Sequence, residues 1–195
     1  RGRGADEAED RMEQRMRATG QDVSAINQLV GAQGKLGVIG GTVQRAGFQQ
    51  VATFASSRQT LETLLPAMNN LIAQQNGLNA TNQDAVSIGN MMGKAMQGQV
   101  EVLQRVGITF DEAQKQVLQF GTESERAAML AEVITANVGN MNEELAKTDA
   151  GRQKQLENTL GDIKEQLGGL VQGAMPFVTI AAQTMICVTS VGKFV

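Results

Sequence analysis

The chain has 195 residues, of which 42% are hydrophobic and 19% charged, with a net charge of −3; this fits one domain or two small ones, with ample core material and a charge-poor surface. It has no His, Trp or Tyr and a single cysteine, Cys187, which excludes Ser-His-Asp and Cys-His nucleophile systems, His-ligated metal, an internal disulfide and Cys-cluster metal sites. The acidic balance and scarce aromatics argue against sequence-specific nucleic acid as a partner, and neither the dinucleotide fingerprint nor the P-loop pattern is present, so no cofactor is expected.

Residues 1–17 carry ten charges, five of each sign, whereas 18–100 carry only seven and 166–192 none. This layout predicts a charged helical arm over 1–30, a helical module over 31–165 rich in Gln and Asn, and an apolar segment over 166–195. Arg1 at the start and the apolar stretch at the end predict a piece of a longer chain, without a signal peptide. A weak 4-3 seam runs through Met12, Met16, Thr19, Val23, Ile26 and Val30. The stretch 31–41 then holds five glycines, each costing about 1 kcal/mol in a helix relative to Ala, and is expected to be a hinge or loop. Pro66 is expected to kink its segment or to begin a new helix.

Farther along, Thr81 or Asn82 is expected to cap a helix running to about Gln97. Thr109-Phe110-Asp111-Glu112 and Thr122-Glu123-Ser124-Glu125 both fit the capping-box pattern, predicting helices over 109–120 and 122–138. Gly107 and Gly121 stand where the preceding helices should stop. The strongest periodic signal is Leu156, Leu160, Ile163, Leu167 and Leu170 at 4-3-4-3 spacing, continuing through Ala174, Phe177, Ala181, Thr184, Val188 and Val191. It reads as a packing or oligomer seam: one face of a core helix, or a surface for helix–helix association between copies. Gly168-Gly169 and Pro176 are expected to interrupt it.

Three other features have both a structural and a functional reading. Gly89-Asn90-Met91-Met92-Gly93 is a small-xxx-small step that lets helices approach closely, and its polar neighbours favour a water-soluble bundle over a membrane pair. Met91, Met92 and Met96 read as gap-filling core rather than a binding groove. Asp111, Glu112, Glu123, Glu125, Glu143 and Glu144 include helix-first-turn acids that favour the dipole; no spacing among them recommends a carboxylate hydrolase. The uncharged run 166–192 is long enough to be weighed as a membrane-active segment through Phe177, Ile180 and Val188, against a buried helix with Cys187 in its core.

Four stretches, in order over about 60–171, resemble the tail tape measure proteins of bacteriophages and prophages. LLPAMNNLIAQQNG (64–77) is similar to the family's Leu-Pro-Ala helix ending in Gly. IGNMMGKAMQGQVEVLQRVGITFDEAQKQVL (88–118) resembles its small-residue helix, Gln-Gly turn and Asp-Glu-Ala-Gln helix start. SERAAMLAEVITANVGN (124–140) matches an Arg-Ala-x-x-Leu helix closed by Gly. LAKTDAGRQKQLENTLGDIKEQLGGLV (145–171) resembles the family's Gly-Asp-Leu-x-Glu pattern, with Thr159-Leu160 where an aromatic is usual. The resemblance implies a non-enzymatic structural protein that occupies the tail tube, sets its length during assembly and aids genome delivery through the host envelope. Implied partners are tail tube and tail tip proteins, assembly chaperones and further copies of itself, with the host membrane during infection.

The expected fold is all-α: a bundle of short helices with glycine-rich hinges, flanked by a charged N-terminal helix and an apolar C-terminal helix. The residues expected to matter are the seam leucines and Ile163, with Pro66 and Gly161 for helix geometry. A membrane-active helical protein working through 166–192 is the competing expectation.

Overall fold

The computed structural model describes residues 6, 7, 10–14 and 23–171, with side chains to 167 in the last helix. Every regular element among them is helical, and the chain forms an all-α bundle. The elements are α1 (Val23–Leu36), α2 (Gly41–Ala52), α3 (Arg58–Asn76), a 3-10 turn (Gly77–Asn79), α4 (Asn82–Met96), α5 (Glu101–Gln104), α6 (Glu112–Phe120), α7 (Glu123–Val138), α8 (Met141–Ala146) and α9 (Asp149–Val171). The expected boundaries at 30/31 and 165/166 fall inside α1 and α9.

Side-chain oxygens at the helix starts satisfy the amides that have no intrahelical partner. Ser57 caps α3. Full capping boxes open α4 (Thr81 with Asp84) and α7 (Thr122 with Glu125); the second is the one its residue pattern predicts, and at the first the cap is Thr81 rather than Asn82. At α6 the start differs from the expected one. Asp111 is the cap and Gln114 its reciprocal partner, while Thr109 instead bonds through its amide and hydroxyl to Asn137 Oδ1 at 3.1 and 3.0 Å. Asp caps as well as Thr does, and Thr109 is held by the end of α7. Positive φ at Gly77, Gly107 and Gly139 closes the preceding segments.

Helices run farther than expected at three places. α3 runs unbroken through Pro66. The missing amide costs about 3 kcal/mol. Leu61, Leu64, Leu65, Met68, Leu71 and Ile72 of the same helix are almost wholly buried, and at roughly 1.5–3 kcal/mol each they outweigh it. α1 continues through Gly31 and Gly34 to Leu36, carried by buried Ile26 and Val30. Only residues 37–40 leave helical geometry: the expected loop is confined to these four residues, and it is packed inside, with Val38 and Ile39 each 2% exposed. α9 passes through Gly168-Gly169; two glycines at about 1 kcal/mol apiece do not end it.

The core gathers on α3, with Phe48 and Val51 of α2, Ile88, Met92 and Met96 of α4, and Leu130, Val133 and Ile134 of α7. Met12 is buried in it too. The tightest crossing joins α2 and α4. A Cβ on Gly89 would overlap the Gly47 carbonyl, one on Gly93 the Phe54 ring, and one on Gly47 would lie 2.8 Å from the Ala85 carbonyl oxygen. The small-residue step thus packs helices inside the bundle, and Met92 and Met96 fill the space beside it.

Candidate functional site

α9 is the longest described helix and the one that carries the predicted seam. Thr148 opens it: its hydroxyl accepts from the Gly151 amide at 3.0 Å and donates to the Leu145 carbonyl at 2.6 Å. Gly151 is buried, and a Cβ there would overlap the Leu145 carbonyl. Two amide side chains then tie the helix to the end of α1 and to the segment that joins it to α2. Asn158 Nδ2 donates to the Val38 carbonyl at 2.9 Å, and Gln155 Nε2 donates to the Lys35 carbonyl.

That segment is itself held by amides. Asn142 Oδ1 accepts from the Val38 and Ile39 amides at 2.8 and 3.2 Å. The Asn142 backbone donates to Asn70 Oδ1 at 3.0 Å. Gln44 Nε2 donates to the Val30 and Ile39 carbonyls at 3.2 and 2.9 Å, and Asn69 Nδ2 donates to Gln44 Oε1 at 3.0 Å. Gln44, Asn69, Asn70 and Asn142 are all buried. Asn142 and Gln44 serve the amides of Val38 and Ile39 and the carbonyl of Ile39, groups of the connection that lie outside any helix, and Asn69 positions Gln44; this is how an apolar connection can lie inside a bundle. Glycine is required at 37, where a Cβ would overlap the Asn142 carboxamide; at 40 a Cβ would lie 3.1 Å from Asn158 Oδ1.

Between α9 and this connection lies a cavity of about 240 Å³, lined by Gly31, Gly34, Gly40, Gly41, Arg45 and Asp162 among others. Partial burial pushes the Asp162 carboxyl above its ordinary value, against the opposing pull of the Arg45 guanidinium.

The side of α9 that meets the bundle is therefore made of Gly151, Gln155, Asn158 and Asp162. At about 100° per residue, the stripe of Leu156, Leu160, Ile163 and Leu167 is centred roughly 140° away from it. The stripe points away from its own bundle. Leu156 is 47% and Leu160 37% exposed, and Ile163 and Leu167 are half-buried. Leu170 is helical in backbone, and its side chain lies outside the described residues, as do Phe177, Ile180, Val188, Cys187 and Pro176. Among the described residues no helix is long and apolar enough to cross a membrane. Gly161 meets nothing within 4 Å of an added Cβ, so packing within the chain does not demand glycine there.

Glu112, Glu123, Glu125, Glu143 and Glu144 lie in the first turns of α6, α7 and α8. Glu123 does more than favour a dipole. Its carboxylate accepts from the Ser56 and Ser57 amides at 2.8 and 3.2 Å and from the Ser56 hydroxyl, joining α7 to the start of α3.

The amides at 44, 69, 70, 142 and 158 were not legible as anchors, because in a chain with 22 Gln and 11 Asn they read as surface. The one available signal was the spacing Gly37-Val38-Ile39-Gly40, two apolar residues between two glycines. No family model, curated protein or solved structure matches the chain.

Proposed function

We propose that this chain is a structural module of a bacteriophage or prophage tail tape measure protein, acting through protein–protein contact and without catalysis. The observation that carries the reading is the ordered resemblance over 60–171. Its support from the fold is that two of the motifs finish where a helix is closed by a glycine of positive φ: 64–77 ends with α3 at Gly77, and 124–140 covers α7 through Gly139. A protein acting by contact needs a surface to offer, and the outward leucine stripe of α9 is one.

On this reading the parent protein occupies the tail tube, its length sets the tube length, and it leaves before DNA passes. Its partners are tail tube and tail tip proteins, assembly chaperones and other copies of itself, in the virion tail and in the host cytoplasm during assembly. The ruler role has a physical basis, since a helix advances about 1.5 Å per residue. The short helices described here are a compact part beside such a rod, not the rod itself.

The test is to lengthen and shorten the helical region of the parent gene in frame and to image the tails. Tail length should follow chain length, and this segment should be detected in purified tails before DNA release and not after it. Tails of constant length, or tails lacking the segment, overturn the reading.

A further inference from the structure

We propose that α9 is a hinged arm: it tilts about the two residues that precede it, Lys147 and Thr148, between its docked position and a lifted one, while the rest of the bundle stays folded. The inference rests on how α9 is attached and does not depend on the tail assignment. Three observations carry it.

First, the helix is fastened at one end and only lightly along its length. Among its described side chains, Gly151 in the first turn is the one buried residue, and every residue from Arg152 to Leu167 is half-buried or exposed. Lifting the helix therefore uncovers little apolar surface, the term that chiefly resists the parting of packed helices.

Second, what holds the helix down beyond its first turn can be replaced by water. Gln155 Nε2 donates to the Lys35 carbonyl, and Asn158 Nδ2 donates to the Val38 carbonyl at 2.9 Å. Beside these bonds lies the cavity of about 240 Å³ rather than a packed contact. Arg45 and Asp162 line it, yet no ion pair joins them; Arg45 Nε donates instead to Asn27 Oδ1 at 3.4 Å. A hydrogen bond that exchanges with water shifts an equilibrium by only about two- to tenfold. Two of them favour the docked position by roughly tenfold to a hundredfold, which leaves a lifted minority.

Third, the joint is built to turn. α8 ends at Ala146 and α9 begins at Asp149, so two residues outside any helix separate them. Gly151 rests on the Leu145 carbonyl without room for a Cβ, so no side chain interlocks at the bearing. The bonds across it, from the Thr148 hydroxyl to the Leu145 carbonyl at 2.6 Å and from Arg152 Nη2 to the Lys147 carbonyl at 3.1 Å, are local and can turn with the helix. A small tilt is enough. At about 1.5 Å per residue, Gln155 and Asn158 lie about 6 and 10 Å from Gly151, so a tilt of roughly 30° moves them about 3 and 5 Å, out of hydrogen-bond reach.

Double electron–electron resonance would test this, with spin labels at Ala32→Cys and Lys164→Cys, both exposed positions, in the full chain carrying Cys187→Ser. α1 and α9 flank the cavity, so this pair of labels reads its opening. The chain with both amides intact should show mainly one distance. Gln155→Ala with Asn158→Ala should raise the fraction of a second distance, longer by about 10 Å, at least about threefold, while far-ultraviolet circular dichroism shows full helix content. Gln155→Ala alone should give a smaller rise in the same direction. Its partner carbonyl belongs to an exposed residue, so this variant decides the matter if Asn158→Ala disturbs the connection around Val38. Distances that do not respond to the loss of either amide, or a longer distance that grows only as helix content is lost, would each overturn the proposal.

Discussion

The carboxamide oxygen of Asn142 lies 2.8 Å from the amide nitrogen of Val38, a residue 104 positions away in the chain. The same oxygen also receives the Ile39 amide. One side chain at the start of α8 thus satisfies two consecutive buried donors that have no place in a helix. Asn142→Ala should leave both unpaired. At about 1–3 kcal/mol for each buried orphan donor, the loss should be on the order of 2–4 kcal/mol in urea denaturation. Gly37→Ala, which drives a methyl into the same carboxamide, should destabilise through the same joint. The double variant should therefore lose clearly less than the two single losses added; full additivity would show that the two residues act separately.

The Glu123 carboxylate predicts a pH dependence. Burial raises its pKa, but hydrogen bonds from the Ser56 side chain and backbone, Thr60 and the Ser57 backbone outweigh this and hold it below the ordinary value. A depressed carboxylate contributes stability that is fully present above its unfolded value and is lost as pH falls through its folded one. Glu123→Gln should cost about 1 kcal/mol or less at neutral pH, since the site is partly open to solvent. The difference from wild type should shrink as denaturation is repeated at successively lower pH. A gap that stays constant down to pH 3 would contradict the linkage.

At the α2–α4 crossing the helices approach so closely that a methyl group has no room. Gly89→Ala would press on the Gly47 carbonyl, a backbone atom that cannot rotate away. The helices must part, and overpacking of this kind costs about 1–3 kcal/mol. Thermal unfolding should show a clearly lowered midpoint.

Gly161 offers the opposite case. It is helical, exposed and unobstructed, so Gly161→Ala should raise stability by up to about 1 kcal/mol through helix propensity alone. A lowered midpoint would mean that position 161 has a packing role that the single chain does not reveal.

Local chemistry was legible where a few neighbouring residues decide the outcome. Thr122 caps as its pattern predicts, because a capping box needs only four consecutive residues, and of the two candidates at 81 and 82 the cap is Thr81. Thr109 misled because Asp111 satisfied the same pattern and a distant Asn137 engaged the threonine. The glycines of α1 misled because local cost is small beside burial, and burial is decided by the whole bundle. For α9, the spacing gave the stripe but not its direction. Direction depends on Gln155 and Asn158 meeting carbonyls 120 residues away, a relation no periodicity encodes.

The way α9 is attached also bears on its response to temperature. Among residues 149–167 no apolar side chain is buried, and the helix is held by amide-to-carbonyl hydrogen bonds. Releasing it would expose chiefly polar surface, so its detachment should carry a much smaller heat-capacity change per residue than unfolding of the core around α3. Cooling, which weakens apolar burial, should loosen the core more than this joint.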